Sequence, residues 1–204
     1  MITIIDYGLG NLRSVQKAFE HLGHKVFLTS KKEDITDADH LVLPGVGAFG
    51  AGMRNLHQYG LVEAIQEYLA SDRPFLGICL GLQLLFTESE ESFAGERPKG
   101  LGFFRGTVRR FPEKVKVPQI GWNSLKEVRD HPILHGISDG DYFYFVHSYH
   151  APPEVDEVTL AKAEYGLSYP AIVGRGKVCA LQFHPEKSSR LGLKILDNFA
   201  SMKA

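Results

Sequence analysis

The pattern of apolar and polar positions divides the chain into two halves with different textures. Short β-branched runs in the first half, "ITIID" (Ile2 to Asp6), "KVFLTS", "HLVLPG" and "RPFLGI", have the length and composition of buried strands. The segments "LRSVQKAFEHLG" and "LVEAIQEYLAS" carry apolar residues at helical spacing instead. Alternation of such strands and helices predicts a parallel sheet with helices on both faces.

The second half, from about Leu101, is predicted to be antiparallel or mixed. Segments such as "LGFFRGTVRRF", "DYFYFVHSYH" and "YPAIVGRGKVCALQFHPE" are alternating or aromatic and are separated by turns. A last amphipathic helix, roughly Arg190 to Met202, returns an apolar face to the sheet. We therefore predict an α/β fold of three layers, with a mixed, mostly parallel central sheet flanked by helices, and a single domain over residues 1–204.

Composition narrows the class of protein. The formal net charge is −1 over 204 residues, with acids and bases spread along the chain, which argues against a nucleic-acid or anionic-membrane partner. The segment "MITIIDYGLG" lacks the basic and apolar regions of a signal peptide or a membrane span. The two cysteines lie far apart without disulfide spacing, as expected in a reducing compartment. We predict a cytoplasmic protein.

No motif predicts a cofactor or a metal. The turn "GLGNLR" resembles a dinucleotide-binding loop, but Arg13 occupies the third glycine position, where close packing beneath a pyrophosphate is needed. The histidine pairs His21/His24, His131/His135 and His147/His150 have no matching cysteine or carboxylate pair at zinc-site spacing.

The stretch "GICLG" places Cys79 between Gly77 and Gly81, after an apolar strand and before a helical pattern that begins at Leu82. A nucleophile on a sharp strand-to-helix turn crowds its neighbours, so glycines are needed two residues to either side. The start of the helix would also favour the thiolate. A buried structural cysteine between packing glycines explains this pentapeptide equally well. Cys179, without such glycines, is predicted to be a core strand cysteine.

The stretch "LQFHPE" favours catalysis. A cysteine nucleophile needs a base within hydrogen-bond reach, and the base needs an orienting group on its other ring nitrogen. His184 and Glu186 are two positions apart, so both could point to one side at the end of a strand. Together with Cys79 they would form a Cys-His-Glu triad.

These motifs resemble those of the class I, triad-type glutamine amidotransferases over essentially the whole chain. Within that family, "DYGLGNLRSV", "LPGVGAFG", "QIGWN", "YFYFVHSYH" and "QFHPEKS" are most similar to the glutaminase subunits of imidazole glycerol phosphate synthases, which act in histidine biosynthesis. The resemblance implies that Cys79 attacks the side-chain amide of glutamine and that His184, oriented by Glu186, protonates the leaving ammonia. It also assigns an oxyanion strand and a glutamine-binding set. The oxyanion strand comprises Pro44, Gly45, Val46 and Gly47, and the glutamine-binding residues are Gly47, Gln83, Glu91, His147, Ser148 and Tyr149.

The same resemblance implies a partner. Ammonia is lost to protonation in water, and no acceptor-binding domain is predicted here, so the ammonia would pass to a separate (β/α)-barrel cyclase subunit in a heterodimer. The residues carried over as its interface are Asn11, Arg13, Trp122, Tyr142, Tyr144 and Lys187. On physical grounds alone, Trp122 could equally be a core residue.

Three other hypotheses remain open from the sequence. The chain could supply ammonia to another synthase, such as those for anthranilate, aminodeoxychorismate or pyridoxal phosphate. It could be a degenerate binding subunit of the same fold, although Cys79, His184 and Glu186 are all present. It could also be a cysteine peptidase of related fold that acts on small peptides without a partner.

Overall fold

The computed structural model describes residues 1–92, 95–152 and 154–203. The helices are α1 (Leu12–His21), α2 (Lys32–Thr36), α3 (Phe49–Gln58), α4 (Val62–Ala70), α5 (Leu80–Leu84) and α6 (Ser189–Ala200). The strands are β1 (Ile2–Ile5), β2 (Val26–Thr29), β3 (His40–Gly45), β4 (Phe75–Cys79), β5 (Phe86–Ser89), β6 (Phe104–Arg110), β7 (Gln119–Ser124), β8 (Tyr142–His147), β9 (Tyr149–His150), β10 (Thr159–Glu164), β11 (Ser168–Arg175) and β12 (Val178–Leu181).

The central sheet has seven strands in the order β10-β11-β12-β4-β3-β1-β2. The pairs from β12 through β4, β3 and β1 to β2 are parallel, and β10-β11 and β11-β12 are antiparallel. The predicted fold class, a mixed and mostly parallel sheet, is confirmed. Since β12 and β4 are parallel neighbours, the chain leaves both strands at the same edge of the sheet.

Two hydrophobic clusters cover the two faces of this sheet. Along β3, Leu41 and Leu43 belong to one cluster and Val42 to the other, as the alternation of side chains in a strand requires. The first cluster includes apolar residues of α2, α3, α4 and α5, and the second includes those of α1 and α6. Helices on both faces give the predicted three layers.

The second half adds strands outside the central sheet. Strands β5, β6 and β9 form a three-stranded sheet, in which β5 and β6 are parallel, and β7 and β8 form an antiparallel pair. In the β7-β8 pair, Trp122 lies opposite Tyr144 and Ser124 opposite Tyr142, so one face of the pair carries these aromatic side chains. The last residue of β8 is His147.

Several element boundaries differ from the sequence prediction. The helix expected from Leu82 begins at Leu80, immediately after the cysteine, and ends at Leu84. Helices α2 and α3 were not predicted; α3 contains Gly50 and Gly52, which weaken a helical pattern. Within the described ranges, no helix has both the length and the apolar character needed to cross a membrane.

Candidate active site

Cys79 occupies a strained turn between β4 and α5. Its φ and ψ are 53° and −103°, a conformation that residues with a side chain rarely adopt. Such strain costs about 1–3 kcal/mol and persists only where the surrounding structure imposes it. The turn leaves the thiol 6% exposed at the carboxyl edge of the sheet. This geometry corresponds to the nucleophile elbow that the glycine spacing predicts.

The two flanking glycines are required by close backbone packing. A Cβ on Gly81 would overlap the carbonyl oxygen of Leu43 in the neighbouring strand. A Cβ on Gly77 would lie 2.9 Å from the backbone of Gly81 and 3.1 Å from the Cβ of Ala180. Any side chain at either position would therefore push the elbow away from the sheet.

His184 and Glu186 reach the elbow from the adjacent strand. Ile78 pairs with Leu181 in β12, and His184 follows three residues later. His184 Nδ1 lies 2.9 Å from Glu186 Oε1, and the His184 side chain lines the same cavity as Cys79. The prediction that the two residues share one side of a strand is wrong in its local structure, because Glu186 lies in a 3-10 turn over Pro185–Lys187.

The pKa values of His184 and His147, the two histidines at this site, are shifted in opposite directions. Burial alone would lower the pKa of His184, but hydrogen bonds and charge from Cys79 and Glu186 outweigh it and raise that pKa to about 10. Burial lowers the pKa of His147 to about 3, despite its hydrogen bond to the Tyr149 carbonyl oxygen. At neutral pH, His184 therefore favours the imidazolium form and His147 is neutral.

A cavity of about 380 Å³ opens over the thiol. Its size falls in the range of about 300–1,000 Å³ that is usual for small-molecule sites. The lining residues are Val46, Gly47, Cys79, Leu80, Gln83, Glu91, Pro118, Val146, His147, Ser148, Tyr149, His184 and Lys187.

Two further polar features surround this cavity. Pro44 and Gly45 pair with Ile78 and Cys79 in the sheet, which brings the turn that follows, with Gly47 at φ 106°, to the cavity wall. Glu91 Oε2 accepts a hydrogen bond of 2.6 Å from the backbone N–H of Phe49. A carboxylate is thus held at the rim with its position fixed by the start of α3.

Comparison with known proteins gives the family. Residues 3–202 match the family model of "Glutamine amidotransferase class-I". The chain belongs to the class I glutamine amidotransferase family. The family predicted from the sequence motifs is therefore confirmed.

Relatives of this glutamine amidotransferase cover nearly its full length. An imidazole glycerol phosphate synthase subunit HisH from Caldanaerobacter subterraneus is 48% identical over 202 residues, which are 99% of this chain and 98% of the relative. A protein of the same name from Methanocaldococcus jannaschii is 49% identical over 202 residues, or 99% of this chain and 100% of the relative.

Solved structures of lower identity share the fold of this amidotransferase. A crystal structure described as a glutamine amidotransferase has a TM-score of 0.74 at 21% identity and covers 98% of this chain and 100% of its own. PurLQS from Thermotoga maritima has a TM-score of 0.74 at 19% identity, with 98% and 96% covered. At these identities the likeness shows the fold alone.

The structure brings most of the amidotransferase residues predicted from the sequence to this one cavity. All six predicted glutamine-binding residues line it, although Gln83 is 6% exposed and its Nε2 donates to the carbonyl oxygen of Tyr149 at 3.0 Å and to Gln182 Oε1 at 3.3 Å. Gln182, fully buried and in contact with Cys79, was not singled out. A buried polar residue beside a thiol has no periodicity in the sequence that would reveal it.

The predicted interface residues are not in the core. Trp122 is 51% exposed and Tyr142 57%, so the alternative of a core tryptophan is wrong. Tyr144 is half-buried, and Asn11, Arg13 and Lys187 are exposed. Helix α1, which contains Arg13, contacts the turn Pro185–Lys187, whose Lys187 lines the cavity. Cys179 is fully buried in β12, where burial raises its pKa to about 12.

Three or more His, Cys, Asp or Glu side chains do not come together in metal-binding geometry anywhere in residues 1–92, 95–152 and 154–203. The three histidine pairs of the sequence therefore do not gather further ligands within the described chain.

Proposed function

We propose that this amidotransferase is the glutaminase subunit of an imidazole glycerol phosphate synthase and that Cys79, His184 and Glu186 form its catalytic triad. The observation that carries the proposal is that Cys79 and His184 line the same cavity and that Glu186 Oε1 lies 2.9 Å from His184 Nδ1. Identities of 48% and 49% to synthase subunits over nearly the whole chain support the substrate and the pathway.

The first half-reaction acylates the cysteine. The Cys79 thiolate attacks the side-chain amide carbon of glutamine, and a C–S bond forms as the carbonyl becomes an oxyanion. The oxyanion then collapses, the C–N bond breaks, and protonated His184 gives its proton to the leaving ammonia. The elevated pKa of His184 supports this order, since the imidazolium is present at neutral pH before the attack.

The second half-reaction releases glutamate. Neutral His184 now takes a proton from a water that attacks the thioester carbon. The C–S bond breaks, and sulfur leaves with the electron pair as the thiolate next to the reprotonated imidazole. Glu186 holds Nδ1 in both steps, so that Nε2 faces the thiol.

The oxyanion would be stabilised by backbone N–H groups on two sides of Cys79. One donor is the N–H of Leu80, which follows the nucleophile at the start of α5 and has no helical acceptor there. The other comes from the turn Pro44–Gly47, where Val46 and Gly47 line the cavity. The φ of Gly47, 106°, is a backbone conformation that glycine adopts without strain.

The remaining cavity residues suit the charged α-carbon end of glutamine. The Glu91 carboxylate would pair with the α-ammonium group, since Phe49 fixes one of its oxygens and the carboxylate lines the cavity. Gln83, His147, Ser148 and Tyr149 form the facing wall. Neutral His147 adds no positive charge next to the imidazolium of His184.

A separate cyclase subunit, a (β/α)-barrel, would dock over the exposed face of the β7-β8 pair, which we call the aromatic face: Ile120, Trp122, Tyr142 and Tyr144. Ile120 is 62% exposed, and large exposed apolar groups that cluster favour a protein partner. The face continues into Val146, which lines the cavity. Ammonia would therefore be released close to the partner, and the pair would work in the cytoplasm without a cofactor.

The test of the triad compares the two cysteines of the chain. Cys79→Ala should abolish glutamine-dependent synthase activity in the complex, while ammonia-dependent activity of the same complex persists. Cys179→Ala, which removes a thiol from β12 at a distance from the cavity lining, should keep glutaminase activity. A glutamine-mimicking electrophile should label the wild type once, at Cys79.

Three outcomes would contradict the proposal. Retained glutamine-dependent activity in Cys79→Ala would exclude the triad. Hydrolysis of γ-glutamyl peptides in preference to glutamine would favour a peptidase. Ammonia transfer to a different synthase, with none to the cyclase, would show that the partner is wrong while the triad stands.

A further inference from the structure

The sulfur of Cys79 contacts a polar side chain outside the proposed triad. Gln182 Nε2 lies 3.9 Å from Cys79 Sγ and is placed as a donor to it. The thiol itself can donate to the carbonyl oxygen of Val146, 3.8 Å away. One neighbour thus accepts the thiol hydrogen, and the other offers a hydrogen to the sulfur.

The orientation of the Gln182 amide follows from a backbone carbonyl. The carbonyl oxygen of Tyr149 only accepts, so Gln83 must present its NH₂ group there, at 3.0 Å. The same NH₂ donates to Gln182 Oε1 at 3.3 Å. Since Oε1 of Gln182 faces Gln83, the NH₂ of Gln182 faces the sulfur. If the Gln182 amide were reversed, its NH₂ would face the NH₂ of Gln83, and two donors would oppose each other.

Gln182 is also fixed by its backbone and by burial. Its side chain is 0% exposed, and its backbone N–H donates to the carbonyl oxygen of Ala171 at 2.8 Å. A buried amide in this position cannot turn its donor to water. The helix that follows the cysteine, α5, has only five residues, so its dipole offers the thiolate limited stabilisation. The amide of Gln182 lies within 3.9 Å of the sulfur as a further donor.

We propose that Gln182 is a further functional residue of the glutaminase, whose side-chain amide donates to Cys79 Sγ and stabilises the thiolate. The inference rests on the assignment of Cys79 as the nucleophile. It adds that negative charge on sulfur is stabilised both before attack and when the C–S bond of the thioester breaks and sulfur takes the electron pair. Gln83 then has a second task, to hold the Gln182 amide in its donating orientation.

The test measures the thiol directly. Gln182→Met keeps the length of the side chain and removes the donor, and Gln182→Glu places acceptor oxygens next to the sulfur. The rate of Cys79 alkylation by iodoacetamide, followed on the Cys79 peptide by mass spectrometry, is measured against pH. Gln119→Met is the matched control, because Gln119 is also buried but bonds Tyr169 and has no contact with Cys79.

The expected result is a shift of the alkylation profile. Its midpoint should rise by about one pH unit in Gln182→Met, which is about tenfold slower alkylation below the midpoint, and by more in Gln182→Glu. Gln119→Met should keep the wild-type midpoint. In the complex, kcat for glutamine should fall about tenfold in Gln182→Met with little change in KM.

Two results separate failure of this inference from failure of the proposed function. An unchanged midpoint in both folded Gln182 variants, with Cys79 still selectively labelled, would overturn the role of Gln182 alone. Activity that survives Cys79→Ala would overturn the proposed nucleophile itself. If Gln182→Met unfolds, as circular dichroism would show, the Gln182→Glu profile decides.

Discussion

Replacement of Glu186 by glutamine removes one charge from the proposed triad and keeps the size of the side chain. Glu186 Oε1 lies 2.9 Å from His184 Nδ1, and the side chain is 1% exposed. Oε2 is buried and has no hydrogen-bond partner within the described chain. A glutamine that keeps an oxygen on Nδ1 must therefore bury its NH₂ where Oε2 was, unpaired. A glutamine that turns its NH₂ to Nδ1 selects the wrong tautomer of His184.

The magnitude follows from the pKa of His184. The rise from 6.5 to about 10 corresponds to about 5 kcal/mol, which Cys79 and Glu186 supply together against the cost of burial. If Glu186 supplies about half, Glu186→Gln removes about 2–3 kcal/mol from the protonated form. We expect kcat for glutamine to fall roughly 30- to 150-fold. The figure agrees with about 1.5–3 kcal/mol for a hydrogen bond to a charged group.

The assay is glutamine hydrolysis by the complex as a function of pH. Because the pKa of His184 should fall in Glu186→Gln, the alkaline limb of the rate profile should move to lower pH. In the wild type, the stabilisation of the folded chain by protonated His184 is complete below about pH 6.5 and is lost as the pH rises towards 10. Between about pH 6.5 and pH 10, the free energy of unfolding should therefore fall less in Glu186→Gln than in the wild type.

Glu164→Gln is the matched control, since it removes the same charge from an exposed ion pair with Lys126 and should leave rate and profile unchanged. The reasoning is refuted if Glu186→Gln keeps kcat within about twofold of the wild type and its alkaline limb does not move.

Three other variants test the packing, the second histidine and the docking face. Gly81→Ala should lower the free energy of unfolding by about 3 kcal/mol in urea titrations, because its Cβ overlaps the Leu43 carbonyl oxygen, whereas Gly50→Ala, with a nearest contact of 3.3 Å, should change little. Equal effects would contradict the packing argument. Burial holds the pKa of His147 at about 3, so the unfolded chain binds its proton first as the pH falls below about 6.5. Between pH 7 and pH 5, the free energy of unfolding of His147→Gln should therefore fall by about 2 kcal/mol less than that of the wild type. Equal falls in both proteins would refute the low pKa of His147. Trp122→Ala should weaken binding of the cyclase by about 2 kcal/mol, which is a roughly 30-fold rise in the Kd measured by calorimetry. Phe27→Ala, a change at an exposed residue of the edge strand β2, should leave the Kd unchanged. An unchanged Kd in Trp122→Ala would show that Trp122 is not in the interface.

The sequence was sufficient for the elements whose patterns are local. Strands β1 to β4 are short apolar runs, and helices α1 and α4 have regular apolar spacing, so all six were predicted close to their observed bounds. Helix α3 was missed because its apolar residues are interrupted by Gly50 and Gly52. The division of the second half between the central sheet and two smaller sheets depends on long-range pairing, which periodicity does not encode.

The proposed triad follows from the sequence because its residue types are chemically specific. A cysteine between two glycines and a histidine two residues before a glutamate each suggest a role, and together they suggest a reaction. The local structure was less predictable, since Pro185 ends the extended chain and places Glu186 in a 3-10 turn. The side chains still meet at 2.9 Å, because a tight turn brings residue i+2 close to residue i.

The polar groups that support the nucleophile are of a different kind. Gln182 lies 103 positions from Cys79 and 99 from Gln83, and the contacts exist only because β12 pairs with β4 in the sheet order. Glutamine is usually a surface residue, so nothing in its type suggests burial beside a thiol. The role we propose for Gln182 depends on the direction of its NH₂ group. That direction is set through Gln83 by the backbone carbonyl oxygen of Tyr149, two hydrogen bonds away. Residues with reactive side chains can therefore be found by their chemistry, whereas residues that act by orientation become visible only when the fold supplies their partners.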